Sequence, residues 1–503
     1  MDPRIWIYAA VALALWVLKT LYDALTSPLR PLPGSLFTLL SNIPLKLATI
    51  SGRRIYFIHA LHRAHGPIVR IAPTEVSIAS LLEVKEIHRA GSPFLKSKWY
   101  EEFVMSGVPG VFSMSDPRQH AERRRLFARA FSKSELRRNW EAVVREKVRF
   151  AVGRMKGEIA MNGGQGDGRG RCDILKWWTF LATDVAGHLM FGEDFGMLEL
   201  GVKNEYIAAL ERTMKASGIA SELPLLAFIA RNLPIPSVRS FFRPNECLTA
   251  YGKRAVTNSR ANSASSRNIF SGLVYESEKA DGLTETDVVT EAANLIVAGS
   301  DTTGITLTYL VWAVLSHPST LQRDLEDELS SLEDSYDDAA LETLPLLNAV
   351  IKETLRLYGA APGSLPRSVP EGGASFLGYF IPGGMTVSTQ SYTLHRDREL
   401  FPDPEVFDVT RWLLPGTYGS GGTTGASNSS QTQTAPAFSP FGTGPRTCLG
   451  IHLAYMELRL AAAEFFRECR GVRLAEGTSW EGCMEPENYF LIAPRGHRCE
   501  VVM

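Results

Sequence analysis

The sequence predicts a mainly α-helical protein with a minor, segregated β-sheet and an N-terminal membrane-anchor helix. Three observations carry this prediction: an uncharged apolar run at residues 5–18, apolar residues recurring at three and four through the middle of the chain, and strand-type patterning confined to residues 67–80 and 375–394. With 503 residues, 45% hydrophobic and 21% charged, the chain can bury a large core, which excludes collagen-like, low-complexity and disordered classes. Lys plus Arg number 53 against 54 Asp plus Glu, a net charge of −1, so no global field recruits nucleic acid. Six irregularly spaced cysteines (Cys172, Cys247, Cys448, Cys469, Cys483 and Cys499) point to a reducing compartment for the main body and not to a disulfide framework.

Residues 5–18 read IWIYAAVALALWVL and are followed by Lys19, which must snorkel if the helix is to reach a spanning length. A membrane anchor over residues 1–26 is favoured over a cleaved signal peptide, because no small-x-small cleavage site follows and SPLRPLPG at 27–34 is a stiff connector. PIVRIAP (67–73) and EVSIAS (75–80) predict two strands. From Asp116 to Met155 the periodicity is helical, started by Asp-Pro, and further helices are predicted over 174–190, 204–217, 285–316, 319–332 and 344–358. In SFLGYFIPGGMTVSTQSYTL (375–394) the IPGG predicts a hairpin turn between β-prone flanks. Segments 161–171, 259–268 and 415–436 read as loops, the last as a flexible surface insertion, since residues 437–503 are too few for a core of their own. Residues 27–503 are therefore expected to form one large domain.

Beyond the insertion, FGTGPRTCLG (441–450) sets a lone cysteine in a Gly-rich loop before an amphipathic helix. The helix dipole and free backbone N–H groups there favour a thiolate. No second Cys or His stands at zinc-ligand spacing, whereas an axial thiolate to haem iron needs only one cysteine. The alternative is a buried free thiol in a turn. Phe441, Gly444, Arg446, Cys448 and Gly450 together match FxxGxRxCxG and resemble the haem-binding signature of the cytochrome P-450 family.

That resemblance extends upstream. Ala298, Gly299, Ser300, Asp301, Thr302 and Thr303 resemble the family's distal-helix AGxDTT, with Asp301 and Thr302 implied as the catalytic proton relay and the small residues as room for dioxygen. Glu353 and Arg356 in KETLRLYG, with Arg411 in FPDPEVFDVTRW, resemble the family's Glu-Arg-Arg cluster, with an implied structural role, although Val409 replaces the usual proline. Arg446, Arg367, Arg124 and His120 are implied to bind the haem carboxylates, together with Phe441 against the haem; His120 and Arg124 stand where the family often has WxxxR. Arg124 also reads as one more solvated charge in an Arg-Arg-Arg run. His59, His62 and His65 read as a surface helix or turn, and His395 as a hydrogen-bonding turn.

The resemblance, strongest to fungal secondary-metabolism members, implies the cytochrome P-450 fold and a haem-thiolate monooxygenase with haem b on Cys448. With no GxGxxG or Walker motif of its own, the chain is expected to receive electrons from another protein; the resemblance implies NADPH through a flavoprotein reductase, with a cytochrome b-type protein as a further donor. The same resemblance implies the endoplasmic reticulum membrane, with the catalytic domain facing the cytosol. The resemblance implies a pocket lined by 99–114, 294–298, 361–365, Tyr489 and Phe490; its aromatic, aliphatic and small residues suggest an apolar, multi-ring substrate, and the resemblance implies a secondary metabolite, polyketide-like or terpenoid-like. Two rival readings stay open: a haem-thiolate isomerase, dehydratase or peroxide-using enzyme, and a non-catalytic haem-binding membrane protein.

Overall fold

The computed structural model describes residues 3–103, 107–162, 170–202, 205–242, 245–261, 268–270, 273, 275, 282–414 and 437–503. The predicted insertion, 415–436, lies outside the described residues, as do most of the other two loops.

Helix α1 (Pro3–Thr26) carries the apolar run. Trp6, Leu13, Leu15, Trp16 and Leu18 are exposed on it, and Lys19 is paired to Asp23 at 2.5 Å, so this cation does not end the helix. Arg4–Thr26 is long and apolar enough to cross a membrane: its 23 residues rise ~35 Å against a hydrocarbon core of about 30 Å. The other helices used below are α2 (Arg54–His65), α3 (Leu81–His88), α4 (Pro117–Ala128), α5 (Lys133–Asn139), α6 (Glu141–Asn162), α7 (Ile174–Phe191), α8 (Glu205–Glu222), α9 (Asn245–Ala261), α10 (Glu285–Ser316), α11 (Leu321–Ser330), α12 (Pro345–Tyr358) and α13 (Ile451–Glu468).

The helical signal of 116–155 belongs to three helices. Asp116 caps α4 by accepting from the Arg118 and Gln119 N–H groups with Pro117 at the first position; Ser132 caps α5; Trp140 ends it before α6 begins. Helix α10 starts on a capping box, Thr284 with Asp287, and runs unbroken through 32 residues. It is almost wholly buried against α7, α9, α12 and α13. Its approach to α7 is close because a Cβ on Gly304 would lie 3.0 Å from the Thr179 backbone, and one on Gly299 3.1 Å from Ala186 Cβ. Gly299 is thus used for helix packing, and α10 is continuous here, with Thr302 Oγ1 donating to the Ala298 carbonyl at 2.7 Å.

The main sheet has five strands in the order β1 (Ile68–Ala72), β2 (Glu75–Ile78), β8 (Thr386–Ser388), β5 (Arg367–Ser368) and β3 (Leu95–Lys96), with only β2 and β8 parallel. The hairpin expected at IPGG lies elsewhere. Strand β6 (Ala374–Phe376) turns into β7 (Tyr379–Ile381) through Leu377 and Gly378, both at positive φ as a two-residue hairpin turn requires, and Pro382 to Gly384 then carry the chain away to pair β8 with β2. Among the described residues three small sheets complete the β structure, including β10 (Pro486–Asn488) with β11 (Ile492–Pro494).

Among the histidines of α2, His65 is exposed, His59 is half-buried and His62 is buried, contrary to a surface reading. His62 Nδ1 donates to the Gly66 carbonyl at 2.9 Å, which leaves Nε2 to accept from Ser77 Oγ at 2.8 Å. Burial lowers its pKa to about 4 from an unfolded value near 6.5. Between these values the unfolded chain binds the extra proton, so this residue's contribution is present above pH 6.5 and lost as pH falls toward 4. His62→Gln is therefore expected to destabilise the fold at pH 7.5 and to cost roughly 2 kcal/mol less at pH 5.0, measured by chemical denaturation. Equal costs at both pH values would contradict the neutral, buried assignment.

Candidate active site

Two elements carry the candidate residues. The first is α10, where Ala298 is exposed and Asp301 and Thr302 are half-buried while Val297, Ser300 and Thr303 beside them are buried. The second is the loop before α13. Gly442 and Gly444 adopt positive φ (72° and 69°), and a Cβ on Gly444 would lie 1.8 Å from the His88 carbonyl at the end of α3, which is why only glycine fits there. Cys448 N–H donates to the Phe441 carbonyl at 2.9 Å, and the Phe441 ring packs on Tyr455, 5.3 Å between centroids. Cys448 is exposed, whereas Cys172, Cys469, Cys483 and Cys499 are buried free thiols; the side chain of Cys247 lies outside the described residues. Protein crowds the Cys448 thiol on its other sides, and that burial raises its pKa, against the pull of the Gly450 N–H and Arg124.

Four cations converge beside this loop: Lys96 at the end of β3, Arg124 on α4, Arg367 on β5 and Arg446. They act on one another. Burial, then Arg367 and Arg446, hold Lys96 well below the usual ammonium range; burial and Arg367 lower Arg446 to about 10; burial, Arg446, Lys96, Arg124 and Arg367 push His120 down to about 3. Arg446 also feels Asp116, but Asp116 Oδ1 is already engaged in capping α4. Arg367 Nε is buried without a hydrogen-bond partner, while its Nη2 donates to His88 Nδ1 at 3.4 Å. Positive charge in excess, with an unsatisfied guanidinium atom, fits a ligand with carboxylates, and an exposed cysteine beside it fits a soft metal centre. These residues match the needs of an iron porphyrin.

The three arginines of the 123–125 run have three different fates. Arg125 is exposed, Arg124 is half-buried and senses Cys448, and Arg123 is buried in ion pairs with Glu291 and Asp287, each at 2.9 Å. The Glu353–Arg356 pair is fully buried and bidentate, at 2.7 and 2.9 Å. Arg356 also donates to the carbonyls of His395, Pro404 and Val406, and Glu353 accepts from Asp408 N–H and Trp412 Nε1. Arg411 reaches Glu353 at a longer 3.4 Å from a 3-10 turn that begins at Val409. His395 is buried: Nδ1 donates to the Arg356 carbonyl and Nε2 accepts from Ser439 N–H, both at 3.0 Å.

The family profile of the cytochromes P-450 matches residues 31–500. The chain belongs to the cytochrome P-450 family. It is similar to fungal relatives: the cytochrome P-450 monooxygenase stcB of Emericella nidulans, 39% identical over 95% of this chain and 89% of the relative, and cypX of Dothistroma septosporum, 37% identical over 98% and 95%. An averantin hydroxylase of Dothistroma septosporum is 28% identical over 90% of this chain and 82% of its own length. The P-450 chain described here is accordingly a monooxygenase, an oxidoreductase of a haem family.

Sequence reasoning missed several residues of this P-450 site. Lys96 is one of several charges in FLKSKWYEEF and Glu291 a single charge in an apolar stretch, and both have partners well removed in sequence. Glu457 on α13 was also missed; it is fully surrounded, burial pushes its pKa up to about 8, and it accepts from Thr303 Oγ1 at 3.2 Å. In the candidate pocket, Trp99, Tyr100, Phe112 and Phe490 form an aromatic wall with centroids 5.2 to 6.0 Å apart. Residues 104–106 of that region lie outside the described residues.

Arg356→Ala removes a fully buried partner and strands Glu353, so it is expected to cost about 3–5 kcal/mol, whereas Arg411→Ala is expected to cost about 1 kcal/mol. Denaturant unfolding of both variants checks the order; equal costs would contradict the geometry.

Proposed function

We propose that Cys448 is the axial thiolate ligand of haem b and that the chain is an NADPH-dependent haem-thiolate monooxygenase acting on an apolar, multi-ring secondary metabolite. The observation that carries this reading is the exposed Cys448, alone among the described cysteines, beside an uncompensated group of cations. When bound, haem supplies dioxygen activation and oxygen-atom transfer. The chain's own residues do the rest. Arg124, Arg367 and Arg446 hold the haem carboxylates, His120 stays neutral among them, and Phe441 packs beneath the loop. Thr302 holds a hydroxyl at the exposed turn of α10, and Asp301 on the same turn relays protons to it. The Glu353, Arg356 and Arg411 cluster keeps α12 and the segment leading to the cysteine loop in register.

The aromatic wall of Trp99, Phe112 and Phe490 supports a flat, polyketide-like or terpenoid-like substrate, a reading consistent with a relative named as a hydroxylase of averantin. Electrons come from NADPH through a flavoprotein reductase, with a cytochrome b-type donor as a second source. Helix α1 anchors the protein in the endoplasmic reticulum membrane with the catalytic domain in the cytosol, supported by its length and by the apolar side chains exposed on it.

Cys448→Ser tests the ligand assignment. The variant is expected to lose the thiolate-type absorption of the reduced carbon-monoxide complex, with the fold retained by circular dichroism. An unchanged spectrum in the variant would overturn the assignment.

A further inference from the structure

The loop 107–115 is held to its surroundings from three sides. Lys96 Nζ donates to the Phe112 carbonyl, and Arg446 donates to the carbonyls of Met114 at 2.8 Å and Ser115 at 3.1 Å. From the third side, Glu291 Oε1 accepts from the Val111 N–H at 2.8 Å and from Arg123 Nη1 at 2.9 Å. Glu291 lies seven residues before Ala298 on α10, two turns along the same face that carries Ala298 and Thr302. Gly110 rests directly on that face: a Cβ there would lie 2.2 Å from Asn294 Nδ2 and 3.2 Å from Glu291 Oε2.

This carboxylate is an expensive way to pack a loop on a helix. Glu291 is wholly buried, burial pushes its pKa up to about 7, and Oε2 has no hydrogen-bond partner. An apolar residue of similar volume would pack the site without that desolvation cost. What the carboxylate adds is direction. It fixes the Val111 N–H, and so the path of the next residue, Phe112, whose ring stands 5.5 Å from Phe490 and 5.6 Å from Tyr100 in the aromatic wall.

We propose that Glu291 is a positioning residue: through its bond to Val111 N–H it sets the place of the Phe112 ring on the substrate side of α10, and so selects which ligands the distal pocket accepts. This inference rests on the reading of Cys448 as a haem ligand. The test titrates the full, haem-loaded chain with imidazole and with 1-phenylimidazole, reading the Soret shift. Glu291→Leu fills the volume but accepts no bond; it is expected to weaken 1-phenylimidazole about tenfold while imidazole changes by less than about twofold. Glu291→Gln keeps an acceptor for Val111 and is expected to retain the wild-type ratio, although its melting temperature falls for want of the charge facing Arg123. A ratio unmoved by Leu, or one lost equally in Gln and Leu, overturns the proposal. Should the Leu variant fail to take up haem, Arg123→Gln decides: it leaves the Val111 bond in place and must keep the wild-type ratio, and its loss would assign the effect to the ion pair. Absence of a Soret band in the wild-type chain would instead refute the haem reading itself.

Discussion

The gathering of Lys96, Arg124, Arg367 and Arg446 beside the cysteine loop is the constraint on which the site depends. Four cations are brought together from β3, α4, β5 and the cysteine loop, and burial first, then the neighbouring positive charges, lower the pKa values of Lys96, Arg446 and neighbouring His120. Two of the four also hold the carbonyls of Phe112, Met114 and Ser115. Whatever neutralises the cations therefore steadies the loop that walls the substrate pocket. A flat dianion satisfies both requirements at once.

A second group of buried charges behaves in the opposite way. Glu353 and Arg356 are as deeply buried as any pair in the chain, yet the Glu353 carboxylate and the Arg356 guanidinium are met by one another and by main-chain and side-chain partners. A closed set of this kind needs nothing from outside and reads as architecture. The open set, with Arg367 Nε unpartnered and positive charge in excess, reads as a binding site. Comparing how completely each set is satisfied separates structure from function without reference to motif.

Much of this was legible in the sequence. Helix α10 has the bounds read from its sequence, 285–316, and in the structure a capping box of Thr284 with Asp287 fixes its start. Cys448 stood out because a short loop concentrates its chemistry. The hairpin at IPGG was misplaced because β8 pairs with β2, some three hundred positions earlier in sequence, and no local pattern encodes that choice. The Arg123–125 run shows the same limit: three identical neighbours meet an ion pair, a cation cluster and solvent, as the turn of α4 dictates once α10 is packed beside it. Glu291 was invisible for that reason, since its partners Val111 and Arg123 lie 180 and 168 positions away.

The cation cluster is proposed to hold the two carboxylates of a porphyrin. Its most direct test loads the chain with haem b and with haem b dimethyl ester, which keeps the iron and the ring but removes both charges, and compares their affinities. The ester is expected to bind at least roughly a hundredfold more weakly, the loss that corresponds to about 3 kcal/mol of charge-assisted hydrogen bonding. Equal affinity for the two would contradict it.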